Sequence, residues 1–167
     1  MKVFGIDPGI GTTGTAIISE EKNKFSLLFS KAITTEKNLP PSQRLGKLYE
    51  EITSIIKKQK PEAAALETLF FGTNITTAFS VGQARGVILL ALNQNNIPVY
   101  EYHTMNIKQA ITGHGGSSKG QIQKMVSTIL KLSHTLTPDD VADGAAAALT
   151  HCFSYKLRER ISMKKNK

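Results

Sequence analysis

The sequence predicts an α/β fold, a mixed five-stranded sheet of three antiparallel strands followed by two parallel ones, with helices on both faces. Three observations predict it. Residues 2–33 hold three strand-like apolar runs joined by short turns, the signature of an antiparallel meander. Apolar runs at 62–67 and 97–102 then bracket a long helical stretch, a strand–helix–strand order that makes those two strands parallel. Residues 40–58 repeat apolar side chains at helical spacing and supply a covering layer.

Each element follows from local residues. Lys2–Asp7 is the first strand, an apolar run closed by an acid. Gly9, Gly11 and Gly14 make the next turn flexible and bring backbone close to whatever Asp7 holds. Strands are expected at 15–19 and 25–33. The helix at 40–58 places Leu45, Leu48, Ile52, Ile55 and Ile56 on one face, with Pro41 in its first turn. The unbroken apolar run at 62–67 reads as a buried strand ending in Glu67. A helix from 74 to about 94 carries the small residues Ala78, Gly82, Ala84, Gly86 and Ala91, which permit close packing either on its own sheet or on a second copy. After the strand at 97–102, helices are expected at 104–111, 119–132 and 138–156. Ser118 and Gln121 form a capping box, and Thr137 before Pro138 reads as an N-cap before a first-turn proline.

The chain has 167 residues, 40% hydrophobic and 20% charged, enough for one domain with a full core. Residues 1–154 read as that domain, and 155–167 as a flexible basic tail that is either simply solvated or tethers DNA. The net charge of +8 points to nucleic acid, and the tail holds six basic residues against the single acid Glu159. No apolar stretch approaches the roughly 20 residues that span a bilayer, so no membrane partner is expected. The first residues lack a signal-peptide core, and a lone cysteine, Cys152, suits a reducing cytoplasm. His103, His114, His134 and His151 form no ligand cluster, which argues against zinc.

Four acids carry the chemical reading. Asp7 and Glu67 each end an apolar strand, where α/β sheets keep their ligands. Asp7 also fits an Asp-Pro-Gly turn, but Glu67, directly after apolar residues, must reach water or a cation. Asp139 and Asp140 suit a helix first turn on dipole grounds alone, whereas Asp143 lies among small residues where an uncompensated acid is costly. Spacing leaves open whether Asp139 or Asp140 shares a face with Asp143. Carboxylates sharing a cleft repel one another unless a cation sits between them, and all-oxygen ligands favour Mg²⁺ or Mn²⁺. Two such ions are a known device for phosphodiester hydrolysis, and Asp7, on the central strand, is the candidate bridge. Lys119 begins a helix whose free N–H groups suit a phosphate, and Lys108 is a second phosphate contact. Of the adjacent Phe70 and Phe71, Phe70 is chosen to stack on an unpaired base and Phe71 to pack inward. Arg85 is assigned to DNA, with a seam between subunits and a surface salt bridge as its alternatives.

The segments Gly5-Ile6-Asp7-Pro8-Gly9, Ala65-Leu66-Glu67, the run 80–86 (SVGQARG), Ile107-Lys108-Gln109, Gly113-His114-Gly115, the run 119–126 (KGQIQKMV) and Asp140-Val141-Ala142-Asp143 resemble the RuvC family of Holliday-junction resolvases. The ordered set spans residues 3 to about 153 and selects Asp140 as the partner of Asp143. The resemblance implies a ribonuclease-H-like fold, a homodimer and Mg²⁺-dependent paired symmetrical nicking of four-way DNA junctions in recombination and repair. It also implies work beside a branch-migration motor complex of the RuvA–RuvB type. By the same resemblance Asp7, Glu67, Asp140 and Asp143 bind metal, Lys119 lies in the active site, and Phe70 lies near the strand-exchange point. Two other readings stand beside it. The glycine-rich run 5–14 resembles the phosphate loop of actin-like nucleotide-binding domains, although a two-lobed cleft needs a longer chain. A ribonuclease-H-like nuclease acting on RNA or hybrids is the other.

Overall fold

The computed structural model describes residues 1–68 and 75–165, apart from the side chains of 75–77 and 156–165. Ten elements follow in the order β1 (Lys2–Asp7), β2 (Thr12–Glu21), β3 (Lys24–Thr34), α1 (Pro41–Gln59), β4 (Ala63–Glu67), α2 (Ile75–Gln94), β5 (Val99–Tyr102), α3 (Thr104–Thr112), α4 (Lys119–Ile129) and α5 (Asp139–Lys165). The sheet runs β3-β2-β1-β4-β5, antiparallel between β1, β2 and β3 and parallel from β1 to β4 to β5. The ribonuclease-H-like mixed sheet expected from the sequence is therefore the one found.

Alternation along the strands divides the core. On β1, Phe4 and Ile6 join a cluster with Leu48, Ile52, Ile55 and Ile56 of α1 and Ile88 and Leu92 of α2. Val3 faces the other way, with Ala65, against the alanine-rich stretch of α5. The second face is unusually close-packed. A Cβ on Gly5 would stand 1.9 Å from the Gly144 carbonyl oxygen, and one on Gly14 would stand 1.8 Å from that of Asp140. Glycine at both strand positions lets α5 lie directly on β1 and β2. That contact carries Asp140 and Asp143 to the end of β1 where Asp7 sits.

Several boundaries differ from the sequence reading. β2 and β3 are longer than expected because Lys22 and Asn23, with φ of 48° and 69°, form a two-residue hairpin turn that pairs Glu21 directly with Lys24. α4 stops at Ile129, and Lys131 takes a left-handed conformation, φ 55°. α5 begins at Asp139, with the Pro138 carbonyl accepting the Val141 amide, so Thr137 is not its N-cap. It continues to Lys165 instead of ending near 156, so the backbone of the stretch expected to be a flexible tail is helical that far. The turn after Asp7 is not held open by flexible glycines. The Gly9 amide and carbonyl both bond the Thr13 hydroxyl, at 3.3 and 2.6 Å, and Arg44 Nη2 donates to the Ile10 carbonyl at 3.1 Å.

Candidate active site

Parallel pairing puts the ends of β1 and β4 side by side, because Ile6 pairs with Leu66 and each strand's next residue is the acid. Asp7 is half-buried, and its carboxyl is pushed up to about 7. Burial is the main cause, followed by the charges of Asp143, Glu67 and Asp140, while Lys119 opposes the shift. The other three acids predicted from the sequence thus act on the Asp7 carboxyl. Burial also raises Asp143 above the ordinary range, partly offset by its hydrogen bond to Lys119.

Lys119 stands opposite them. Ser118 Oγ accepts from the Gln121 backbone amide and Gln121 Oε1 accepts from the Ser118 backbone amide, so the expected capping box fixes the start of α4. The Lys119 ammonium then lies 2.9 Å from Asp143 and 2.7 Å from Asp139. Desolvation works against this charge, but the two carboxylate hydrogen bonds outweigh it and hold the lysine above its usual range. The exposed Asp139 is held below the usual carboxylate range by the same ammonium. Asp139 is therefore the (i, i+4) neighbour of Asp143 that shares Lys119, while Asp140 is among the charges that raise Asp7.

A cavity of about 230 Å³ opens here, lined by Glu67, Thr104, Lys108, Lys119 and Asp143 with the apolar Ile107, Ile122 and Ala146. Lys108 lies on the wall of this cavity. The glycine-rich segment before α4 is tied down: the Thr112 hydroxyl bonds the Lys108 carbonyl, the His114 carbonyl and the Ser117 hydroxyl. Phe70 and Phe71 lie outside the described residues. Arg85 makes an ion pair within the fold, one of the alternatives its sequence position left open. Its side chain is only 12% exposed, Nη1 donates to the Glu67 carbonyl at 2.9 Å, and Nη2 meets Glu101 at 2.6 Å.

The sequence reading missed Thr104, whose hydroxyl donates to Glu67 Oε1. No periodic signal marks that residue, and only the pairing of β4 with β5 brings it to Glu67. Carboxylate oxygens gathered where burial and mutual repulsion lift one of them to about 7 suit a hard divalent cation. In this side-chain arrangement, among the described residues, no three acid, histidine or cysteine side chains already grip a single point. Asp143 is turned toward Lys119 instead.

A ribonuclease-H-like sheet with acids massed at the end of its central strand, faced by a lysine at a helix start, defines a nuclease that cleaves phosphodiesters. Residues 3–151 match the family model described as crossover junction endodeoxyribonuclease RuvC. Two proteins of that description are similar along nearly the whole chain. The one from Pelotomaculum thermopropionicum is 43% identical, covering 98% of this chain and all of its own. The one from Pseudothermotoga lettingae is 45% identical, covering 97% of this chain and all of its own. The solved Thermus thermophilus RuvC in complex with a Holliday junction substrate superposes with a TM-score of 0.89 at 35% identity, covering 94% of this chain and 96% of that one. The chain belongs to the RuvC family of crossover junction endodeoxyribonucleases. The actin-like reading is not favoured. Both ends of the glycine-rich run are covered by α5, at Gly5 and Gly14, instead of lying open as a phosphate loop.

Proposed function

We propose that this chain resolves four-way DNA junctions by paired symmetrical nicks, through hydrolysis that depends on divalent metal. The observation that carries the reading is the convergence of Asp7, Glu67, Asp140 and Asp143 on one end of the sheet, with Lys119 beside them. The junction complex of the Thermus thermophilus relative supports the substrate. The four acids are the metal ligands, for two Mg²⁺ ions per subunit with Mn²⁺ as a substitute. Bound there, such ions lower the pKa of a water and stabilise the leaving 3′ oxygen.

The chain's own residues do the rest. Lys119 and the free N–H groups at the start of α4 bind the scissile phosphate, and Lys108 holds a neighbouring one. Asp139 and Asp143 keep Lys119 protonated. Phe70 stacks on a base at the strand-exchange point. The basic stretch from residue 155 onward adds a weak, salt-sensitive DNA contact.

Two equivalent incisions on a near-symmetric junction call for two equivalent sites, hence a homodimer. α2 supplies a seam. Phe79 and Leu90 are 68% and 51% exposed, and Gly86 is exposed between them on the same stripe. A Cβ on Gly82 or Gly86 would meet nothing within 4 Å, so packing within the subunit does not require glycine at either position. The protein works in the cytoplasm beside a branch-migration motor complex of the RuvA–RuvB type.

The test is a synthetic four-way junction incubated with the protein and Mg²⁺, with EDTA as control and with linear duplex and RNA–DNA hybrid as competitors. Paired nicks that ligase can seal are expected on the junction alone. Asp7→Asn is expected to bind the junction and leave it uncut; cutting at the wild-type rate would reject the site.

A further inference from the structure

Glu67 is the last residue of β4, so its placement depends on what holds that strand end. Three contacts restrain that end. The Thr68 amide continues the ladder by donating to the Tyr102 carbonyl at 2.8 Å. Arg85, reaching across from α2, donates to the Glu67 carbonyl at 2.9 Å and is itself anchored on Glu101 at 2.6 Å. The Thr104 hydroxyl donates to the Glu67 carboxylate.

Thr104 is not there for its helix. It is the first residue of α3, its hydroxyl caps nothing, and threonine is an indifferent helix former. Arg85 is likewise a costly choice for a mostly covered position unless both ends of its fork are used. We infer that Thr104 and Arg85 are positioning residues for Glu67, the first orienting the carboxylate and the second fixing the backbone that carries it. This rests on the reading of Glu67 as a metal ligand. Ligands whose free oxygen is held by a neighbouring donor keep their orientation through binding, and losing such a donor typically costs about 10- to 100-fold in metal affinity or activity.

The readout is Mn²⁺ binding to the full chain without DNA, followed by calorimetry and electron paramagnetic resonance, alongside thermal midpoints and junction affinity in EDTA. Thr104→Val is expected to weaken Mn²⁺ binding about tenfold or more, with the metal-free melting midpoint and junction affinity unchanged. Thr104→Ser keeps the hydroxyl and is expected to restore wild-type binding. Arg85→Lys cannot hold a carbonyl and a carboxylate in one planar fork, so it is expected to weaken Mn²⁺ binding as well. Should that variant fold poorly, Glu101→Gln loosens the same fork from its exposed side and replaces it. Glu67→Gln is the control. If it binds Mn²⁺ like the wild type, the metal-site reading itself fails. If it loses binding while Thr104→Val and Arg85→Lys do not, the positioning inference alone is overturned.

Discussion

The two faces of the sheet are built on opposite principles. Toward α1 and α2 the core is bulky, with Phe4, Ile6, Leu48, Ile52, Leu66, Ile88 and Leu92 all buried and no acid among them. Toward α5 the core also holds bulky residues such as Ile18, Ile122 and Leu149, but where the helix crosses β1 and β2 small residues, Gly5 and Gly14 on the strands and Gly144 and Ala148 on the helix, bring the backbones together. Large side chains bury more apolar area, so the first face is the one built for stability. Small ones let a helix backbone touch a strand backbone, which leaves little freedom in where its carboxylates stand. The active-site acids therefore ride on the tightly apposed face, where geometry takes precedence over buried volume.

Substitutions that enlarge or trim each face separate these roles. Gly14→Ala should have the largest effect, because its Cβ would lie 1.8 Å from a backbone oxygen that cannot move aside without moving α5. A loss at the upper end of overpacking costs, ~3 kcal/mol or more, is expected by denaturant melt. Junction cleavage should fall about 100-fold as Asp140 and Asp143 shift away from Asp7.

Next comes a gain. Asp7 binds its proton more tightly when folded, with a pKa of about 7 against 3.8 for the ordinary group. Its contribution to stability is full below about 3.8 and is lost as pH rises through 7. In EDTA, Asp7→Asn should therefore be the more stable protein at pH 8, by ~2–4 kcal/mol, and the gap should close near pH 4. Equal melting curves at both pH values would show that neither burial nor the neighbouring acids raise Asp7.

Smaller still, Ser118→Ala removes the capping box of α4 and is expected to cost ~1 kcal/mol. It should also slow cleavage, because it loosens the start of the helix that carries Lys119. Ile52→Val, on the bulky face, should cost a similar ~0.5–1.5 kcal/mol yet leave the cleavage rate at permissive temperature untouched. A matched slowing in both variants would show that the faces are not functionally distinct.

Much of this was legible before any coordinates. Unbroken apolar runs ending in Asp7 and Glu67 marked the strands and the acids together. Helical spacing marked α1, and the Ser118–Gln121 signature marked the start of α4. Other features were not legible. The full lengths of β2 and β3 depend on two non-glycine residues at positive φ, which composition does not announce. The partners of Arg85, the Glu67 carbonyl and Glu101, come from β4 and β5 and carry no local signal.

By itself the sequence determined the order and type of the elements and marked Asp7 and Glu67 as strand-end acids, because those depend on patterns a few residues long. Tertiary structure alone decided that Lys119 pairs with Asp139 and Asp143, that Asp140 bears on Asp7, and that Thr104 holds Glu67. Those contacts join elements 20 to more than 130 residues apart in the chain. Their distances are set by how closely α5 and α3 settle on the sheet, a property of packing that local periodicity does not encode.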